Sequence, residues 1–240
     1  MANEMNGVQL WENGPFWATC NLGAERPQDS GRYFWWGDKC GSVWKKGMLF
    51  GGDWIDGRGK KHIFDDQSTP SRDAEEVCPI LGRHVNNVLQ FLAFRHVWLE
   101  KFTLTKKNDA AARLLGGAWH MPTFQDLHDL MTKCDWLWDQ LEGVVGYTVK
   151  GRDNFATARI FLPAAGYGSD NALMDYGKVG FYWSSSEYLT DMISPLQRSL
   201  GLGRGLAGLA FHLRFGKGNN YNVSEAGRCG GGTIRAIREA

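Results

Sequence analysis

The sequence predicts an α+β domain, loop-rich, with helices in its first half and antiparallel strands in its second. Three observations carry this. Apolar residues recur at helical spacing between Gly82 and Lys101. From Gly146 onward the texture changes to short apolar or alternating runs separated by turn residues. The 240 residues include 31 glycines and 11 tryptophans. Glycine favours irregular backbone, and indoles bury large areas without long regular elements. The length suits one domain with a substantial core.

The elements follow in order. Val85, Val88, Leu89, Leu92, Val97 and Leu99 define an apolar helical stripe, with Phe91, Phe94 and Trp98 filling in. Asp109 to Leu115 reads as a short helix stopped by Gly116-Gly117. Thr123 is an N-cap, with Pro122 before it and Asp126 in the first turn of a helix through Leu127, Leu130 and Met131. Strands are expected at Gly146-Tyr147-Thr148-Val149, at Ala158 to Leu162, at Gly180 to Trp183, at Ala210 to Phe215 and at Thr233 to Ile237.

The last sixty residues set a framework against positions of no consistent chemistry. The framework is Phe181-Tyr182-Trp183-Ser184-Ser185-Ser186-Glu187-Tyr188, then Ala210-Phe211-His212-Leu213-Arg214-Phe215, then Arg228 to Glu239. Earlier pieces are Phe16 to Ala24, Gly31 to Gly37, Leu104 to Ala111, Trp119-His120-Met121-Pro122-Thr123 and Phe161 to Tyr167. This succession, with YWSSS and R-x-x-G-x-T-[IV]-R-A-[IV], resembles the Fibrobacter succinogenes-type major paralogous domain of Bacteroidetes and their phages. The resemblance implies a C-type-lectin-like (formylglycine-generating-enzyme-like) fold: two helices packed on a small twisted antiparallel sheet, with the termini close together. It covers residues 16 to 239 of a single domain spanning 1–240. Segments at about 45–98 and 190–209 look like insertions.

Most candidate chemistry dissolves on inspection. Gly203-Arg204-Gly205-Leu206-Ala207-Gly208 matches G-x-G-x-x-G, yet no clear strand precedes it and no βαβ unit fits in the remaining residues. Asp53-Trp54-Ile55-Asp56-Gly57 lacks the acidic ladder of a calcium loop and reads as a turn. The calcium-dependent sugar motifs E-P-N, Q-P-D and W-N-D are absent. His84, His96, His120 and His128 include no H-x-x-x-H pair. Ser184-Ser185-Ser186 is no nucleophile elbow; in the family this segment is structural. Cys20, Cys40, Cys78, Cys134 and Cys229 are odd in number and lack C-x-x-C spacing. No cofactor and no metal are therefore expected. An oxidase of the formylglycine-generating kind remains a minor alternative, since its chemistry needs cysteines.

The remaining candidate is a surface. Strand alternation sends Phe211, Leu213 and Phe215 to one side and His212 and Arg214 to the other, which is expected to be the outside. Leu200, Leu202, Leu206 and Leu209 sit in a glycine-rich loop and are hard to explain as solvated. Two readings stand here: the leucines present an apolar surface, or they plug a core gap beneath an inserted loop. The arrangement also resembles the variable proteins of diversity-generating retroelements, whose template adenines are mutated during reverse transcription. Codons diversified in that way reach Leu, Arg, Gly, His, Cys, Phe and Ala but not Lys, Glu, Gln, Met or Trp. The ligand-binding positions implied are Leu200, Leu202, Arg204, Leu206, His212, Arg214, Ala226, Gly227, Cys229, Gly230 and Gly232, and none carries an excluded type.

The expected function is therefore non-enzymatic recognition of a protein or glycan on a cell surface. The alternative is an undiversified adhesion or structural domain. A net charge of +1 gives no reason to expect nucleic acid or an anionic membrane as partner. No stretch approaches the roughly 18 apolar residues of a membrane span. Met1 to Gly7 has neither the basic nor the apolar region of a signal peptide, so a cytoplasmically made protein or virion component is expected, or a cell-surface one if an export signal was removed.

Overall fold

Short apolar segments divided by left-handed turn residues fold into small antiparallel sheets. The computed structural model describes residues 7–43, 53–55, 61–63, 103–169, 172–188, 209–227 and 230–240. The strands are β1 (Gly7–Gln9), β2 (Phe16–Ala18), β3 (Asp53–Ile55), β4 (Lys61–Ile63), β5 (Asp135–Leu141), β6 (Val144–Lys150), β7 (Arg159–Pro163), β8 (Tyr167–Ser169), β9 (Ala172–Met174), β10 (Val179–Glu187), β11 (Leu209–Gly216), β12 (Asn220–Gly227) and β13 (Ile237–Arg238). The helices are α1 (Ala110–Leu114) and α2 (Phe124–Lys133). The strands assemble as β1-β2-β13, β10-β11-β12, β5-β6-β7, β3-β4 and β8-β9.

Both helices form where their caps dictate. Asp109 caps α1 by accepting from the Ala112 amide at 2.9 Å, and its second oxygen accepts from the Met121 amide at 2.8 Å. One buried carboxylate thus starts a helix and anchors the segment that leads to the next one. Gly116, at φ +72°, takes the left-handed turn that ends α1. At α2, Thr123 and Asp126 form a reciprocal capping box. Leu127 and Leu130 are the buried side of α2. At its far end, Arg152 donates to the carbonyls of Thr132 and Cys134, at 2.9 Å each. That satisfies acceptors a helix terminus otherwise leaves open.

The expected C-type-lectin-like architecture, with helices packed on one small sheet, is corrected. Among the described residues strand makes up 44% and helix 12%, with only two α-helices and several small antiparallel sheets. One physical reason lies at Glu142-Gly143. Both have positive φ (+47° and +87°), which closes a two-residue hairpin with Leu141 opposite Val144. Asp135–Leu141 therefore becomes a seven-residue strand where no strand was expected. Further strands absent from the sequence reading are β1, β2, β8, β9 and β12. Asp53 to Ile55, read as part of a turn, pairs as a strand with Lys61 to Ile63. The helix expected over Gly82 to Lys101 lies outside the described residues. No helix among the described residues is long and apolar enough to cross a membrane.

Strand β10 organises the interior. Its run from Gly180 to Glu187 is buried throughout, as expected of a strand covered on both faces. Tyr182 joins Leu10, Trp17, Leu130, Tyr147, Leu162, Leu213, Phe215 and Ile237 in one apolar cluster. Its neighbours Phe181 and Trp183 face the other way, into a second cluster with Phe34, Trp36, Leu104, Met121 and Ile234. The three serines that follow spend their hydroxyls on backbone. Ser184 donates to the Phe211 carbonyl and Ser185 to the Pro122 carbonyl, while Ser186 Oγ accepts from the Phe124 amide.

Arg235 ties the ends of the chain to the middle. It is essentially inaccessible, and all five of its N–H groups are used. Nε and Nη2 donate to Asn21 Oδ1 at 3.0 and 2.7 Å, and Nη2 also donates to the Phe161 carbonyl at 2.8 Å. Nη1 donates to the carbonyls of Ala18 and Thr19 at 3.0 and 2.8 Å. Asn21 passes the network on, donating to the Ser30 carbonyl and to the Tyr182 hydroxyl, which donates to the Pro163 carbonyl. Burial pulls the Arg235 pKa below its ordinary value, with Tyr182 and then Cys20 opposing. Substituting Asn21→Leu should leave a buried cation short of acceptors and cost about 3–5 kcal/mol in urea unfolding. A loss below about 1 kcal/mol would show that Arg235 does not depend on this acceptor.

Candidate functional site

The C-terminal hairpin presents two chemically different faces. Lys217-Gly218-Asn219 closes it, with Gly218 and Asn219 both at positive φ, and β11 then pairs with β12 without a slip from Gly216↔Asn220 to Leu209↔Gly227. Leu213, Phe215, Tyr221 and Val223 belong to the first apolar cluster or pack against it. Alternation sends the intervening residues to the opposite face. On that face Phe181 lies opposite Arg214, and Trp183 opposite His212. Asn222 and Ser224 flank the same two residues from β12.

Arg214 is exposed, as expected, and Asn222 beside it is exposed as well. Ala226, Gly227 and Gly230 are half-buried. Asn222 and Ser224 escaped the sequence reading. The signal that would have revealed them is the Gly-Asn turn, since extending the hairpin register through it places both beside Arg214 and His212. Leu200, Leu202, Arg204, Leu206 and Cys229 lie outside the described residues, whereas Leu209, expected in the loop, is the half-buried first residue of β11 opposite Gly227.

Two expected surface positions are corrected. His212 does not face outward: it is 3% exposed, stacked on Phe181 at 4.0 Å between ring centroids and edge-on to Trp183 at 5.8 Å. The outward alternation of β11 holds at Arg214 but not here, because Phe181 and Trp183 turn this end of the face into the second apolar cluster. Neither ring nitrogen finds a hydrogen-bond partner among the described residues. Burial, and then the neighbouring Arg214 charge, push the imidazole down to about 4, against a smaller opposing pull from the Ser224 backbone. A neutral ring is the form this site holds at neutral pH.

Gly232 is likewise interior. It exchanges two backbone hydrogen bonds with Phe34, both 2.8 Å. A Cβ there would stand 2.7 Å from both Phe181 Cδ1 and Trp183 Cδ1. Glycine is required at this position by close approach, not by backbone angle. Gly230 differs: a Cβ would meet nothing nearer than the Gly227 carbonyl at 3.4 Å.

Other groups have structural partners. His120 Nδ1 lies 3.0 Å from the Met121 carbonyl, and His128 stacks on Phe124. Cys20, Cys40 and Cys134 are free thiols, and burial pushes Cys134 up to about 12. Such a thiol is a poor nucleophile. Among the described residues no three His, Cys, Asp or Glu side chains group as metal ligands would. Comparison with protein-family models, with curated proteins and with solved structures finds no match.

The glycine geometry predicts a contrast. Gly232→Ala should lower stability by about 1–3 kcal/mol through overpacking of Phe181 and Trp183. Gly230→Ala should stay within about 0.5 kcal/mol. Thermal unfolding of the two variants side by side checks this, and equal effects would contradict it.

Proposed function

We propose that the chain is a non-enzymatic recognition protein, binding a protein or glycan on a cell surface through the outward face of β11–β12 and the loop before it. The observation that supports this best is the division of the hairpin into a locked face and an open one. Leu213 and Phe215 fix its inner side in the core, while Arg214 and Asn222 stand together on the outer side. A rigid hairpin with adaptable outward side chains holds its geometry while contact residues change, so binding rests on whichever anchors fit. The serine hydroxyls of β10 are bonded to backbone, which suits a structural part for this segment.

We further infer that the C-terminal segment is diversified in the manner of retroelement variable proteins. The tolerant set is then Arg214, Ala226, Gly227, Cys229 and Gly230 together with Leu200, Leu202, Arg204 and Leu206. Gly232 belongs to the scaffold, and His212 lies buried beneath the face. Deep sequencing of the 3′ end of the gene in a natural population should find substitutions at adenine-derived codons of the tolerant set and none at Gly232. A uniform sequence there removes diversification and leaves a fixed adhesion or structural surface.

Binding is tested separately. Arg214→Ser should keep thermal stability within about 0.5 kcal/mol while losing the features that the unaltered chain binds on a glycan array or on intact bacterial cells. An unchanged binding pattern sinks the assignment of this face.

A further inference from the structure

The buried imidazole of His212 belongs to no interaction that the proposed recognition uses. It sits on the middle strand of its sheet, covered, stacked on one aromatic ring and edged by another, with both nitrogens unpartnered among the described residues. A neutral histidine tolerates such a site at modest cost, but an imidazolium has two N–H groups and a charge that need water or an acceptor. We propose that His212 makes the outer strand of this sheet acid-releasable: protonation of the imidazole drives β12 away from β11 and opens the face that carries Phe181 and Trp183.

The charges around the ring favour this direction. From its own strand the neighbour on this face is Arg214, a cation. From β10 the facing groups are the uncharged Phe181 and Trp183. Glu187 lies beyond the bulge, opposite Ala210, and is not among the groups that shift the imidazole. From β12 the same face offers Asn222, Ser224 and Ala226, none of them ionisable, with the Ser224 backbone giving a smaller pull toward the charged form, while Glu225 pairs with Phe211 on the other side. No carboxylate of these three strands therefore meets the imidazolium. Stacking on the Phe181 ring returns part of the cost as a cation–π contact, without hydrating the two N–H groups.

The strand that yields is β12, the outer member of the order β10-β11-β12. Its residues are exposed or half-buried throughout, whereas β10 is buried along nearly all its length. Edge strands with few buried contacts open at the lowest free energy.

The direction with pH follows from linkage. In the closed sheet His212 titrates at about 4, and once released it returns toward its ordinary 6.5. Between those values the open form binds more protons, so the closed form loses stability as pH falls from 6.5 to 4 and loses no more below that. Each unit inside the window changes the opening equilibrium by about tenfold. The proposal holds whether or not the face binds a partner.

Hydrogen exchange of the full chain at pH 7.0 and 4.5, corrected for intrinsic exchange, tests it. Protection in β11 and β12 should fall roughly 50-fold on acidification, as linkage requires for this window. Protection at Tyr147 to Val149 in β6 should hold, and His212→Phe should abolish the change in β11 and β12. The same loss in the phenylalanine variant, or an equal loss in β6, overturns the proposal. Should that variant not fold, nitrogen-15 imidazole spectra of the unaltered chain decide the matter. The resonance shifted by the Phe181 ring should stay neutral down to about pH 5, and ordinary titration near 6.5 overturns the proposal.

Discussion

A guanidinium buried without a carboxylate among the described residues is the constraint on which the rest of this structure depends. Arg235 cannot be solvated by water, so the fold must bring acceptors for five hydrogen bonds to it from two stretches of chain, Ala18 to Asn21 and Phe161, with Asn21 Oδ1 accepting twice. Only arginine supplies five donors in a planar fork, which makes the site demanding in both residue type and geometry. The same requirement holds β13 against β2, and so joins the two ends of the described chain.

Around that clamp, β10 works as a wall with an apolar cluster on each side. A strand buried on both faces cannot alternate polar with apolar residues, and Phe181-Tyr182-Trp183 accordingly presents three aromatics in a row. Their polar atoms are satisfied by backbone carbonyls: Tyr182 at Pro163 and Trp183 at Phe34. Such pairing lets large rings carry polar handles inward without leaving them unmatched. The wall also explains why the hairpin beyond it can expose side chains freely. Leu213 and Phe215 register β11 against Tyr182, and what stands on the other side of the hairpin does not alter that registration.

The outer face is therefore not uniform. At its open end Arg214 and Asn222 meet solvent, while toward Trp183 the same face runs into aromatic packing that swallows His212 and demands glycine at 232. The face thus has a closely packed floor and an open rim. Side chains at the rim change without consequence for the core, and those at the floor do not, because close-packed interiors transmit even one added methyl group.

Local chemistry was legible wherever one residue settles it. Asp109 and Thr123 announce their helices, Gly116 ends one of them, and the apolar runs at 158–162, 180–183 and 210–215 announce strands, because caps and alternation act within a few residues. The strand at 135–141 was not legible, since Asp135-Trp136-Leu137-Trp138 lacks clean alternation and its partner was supplied by the two-residue turn at Glu142-Gly143. The overall architecture was misjudged for a related reason: strand content depends on which segments find partners, and partners lie far apart in sequence. At the site, period-two alternation correctly placed Arg214 outside and misplaced His212, whose surroundings come from Phe181 and Trp183, some thirty residues earlier. The sequence by itself determined caps, turns and the inner side of the hairpin. Only the tertiary structure decided which outer positions are covered, because burial is a property of neighbours brought together across the fold and not of a residue's place in its own strand.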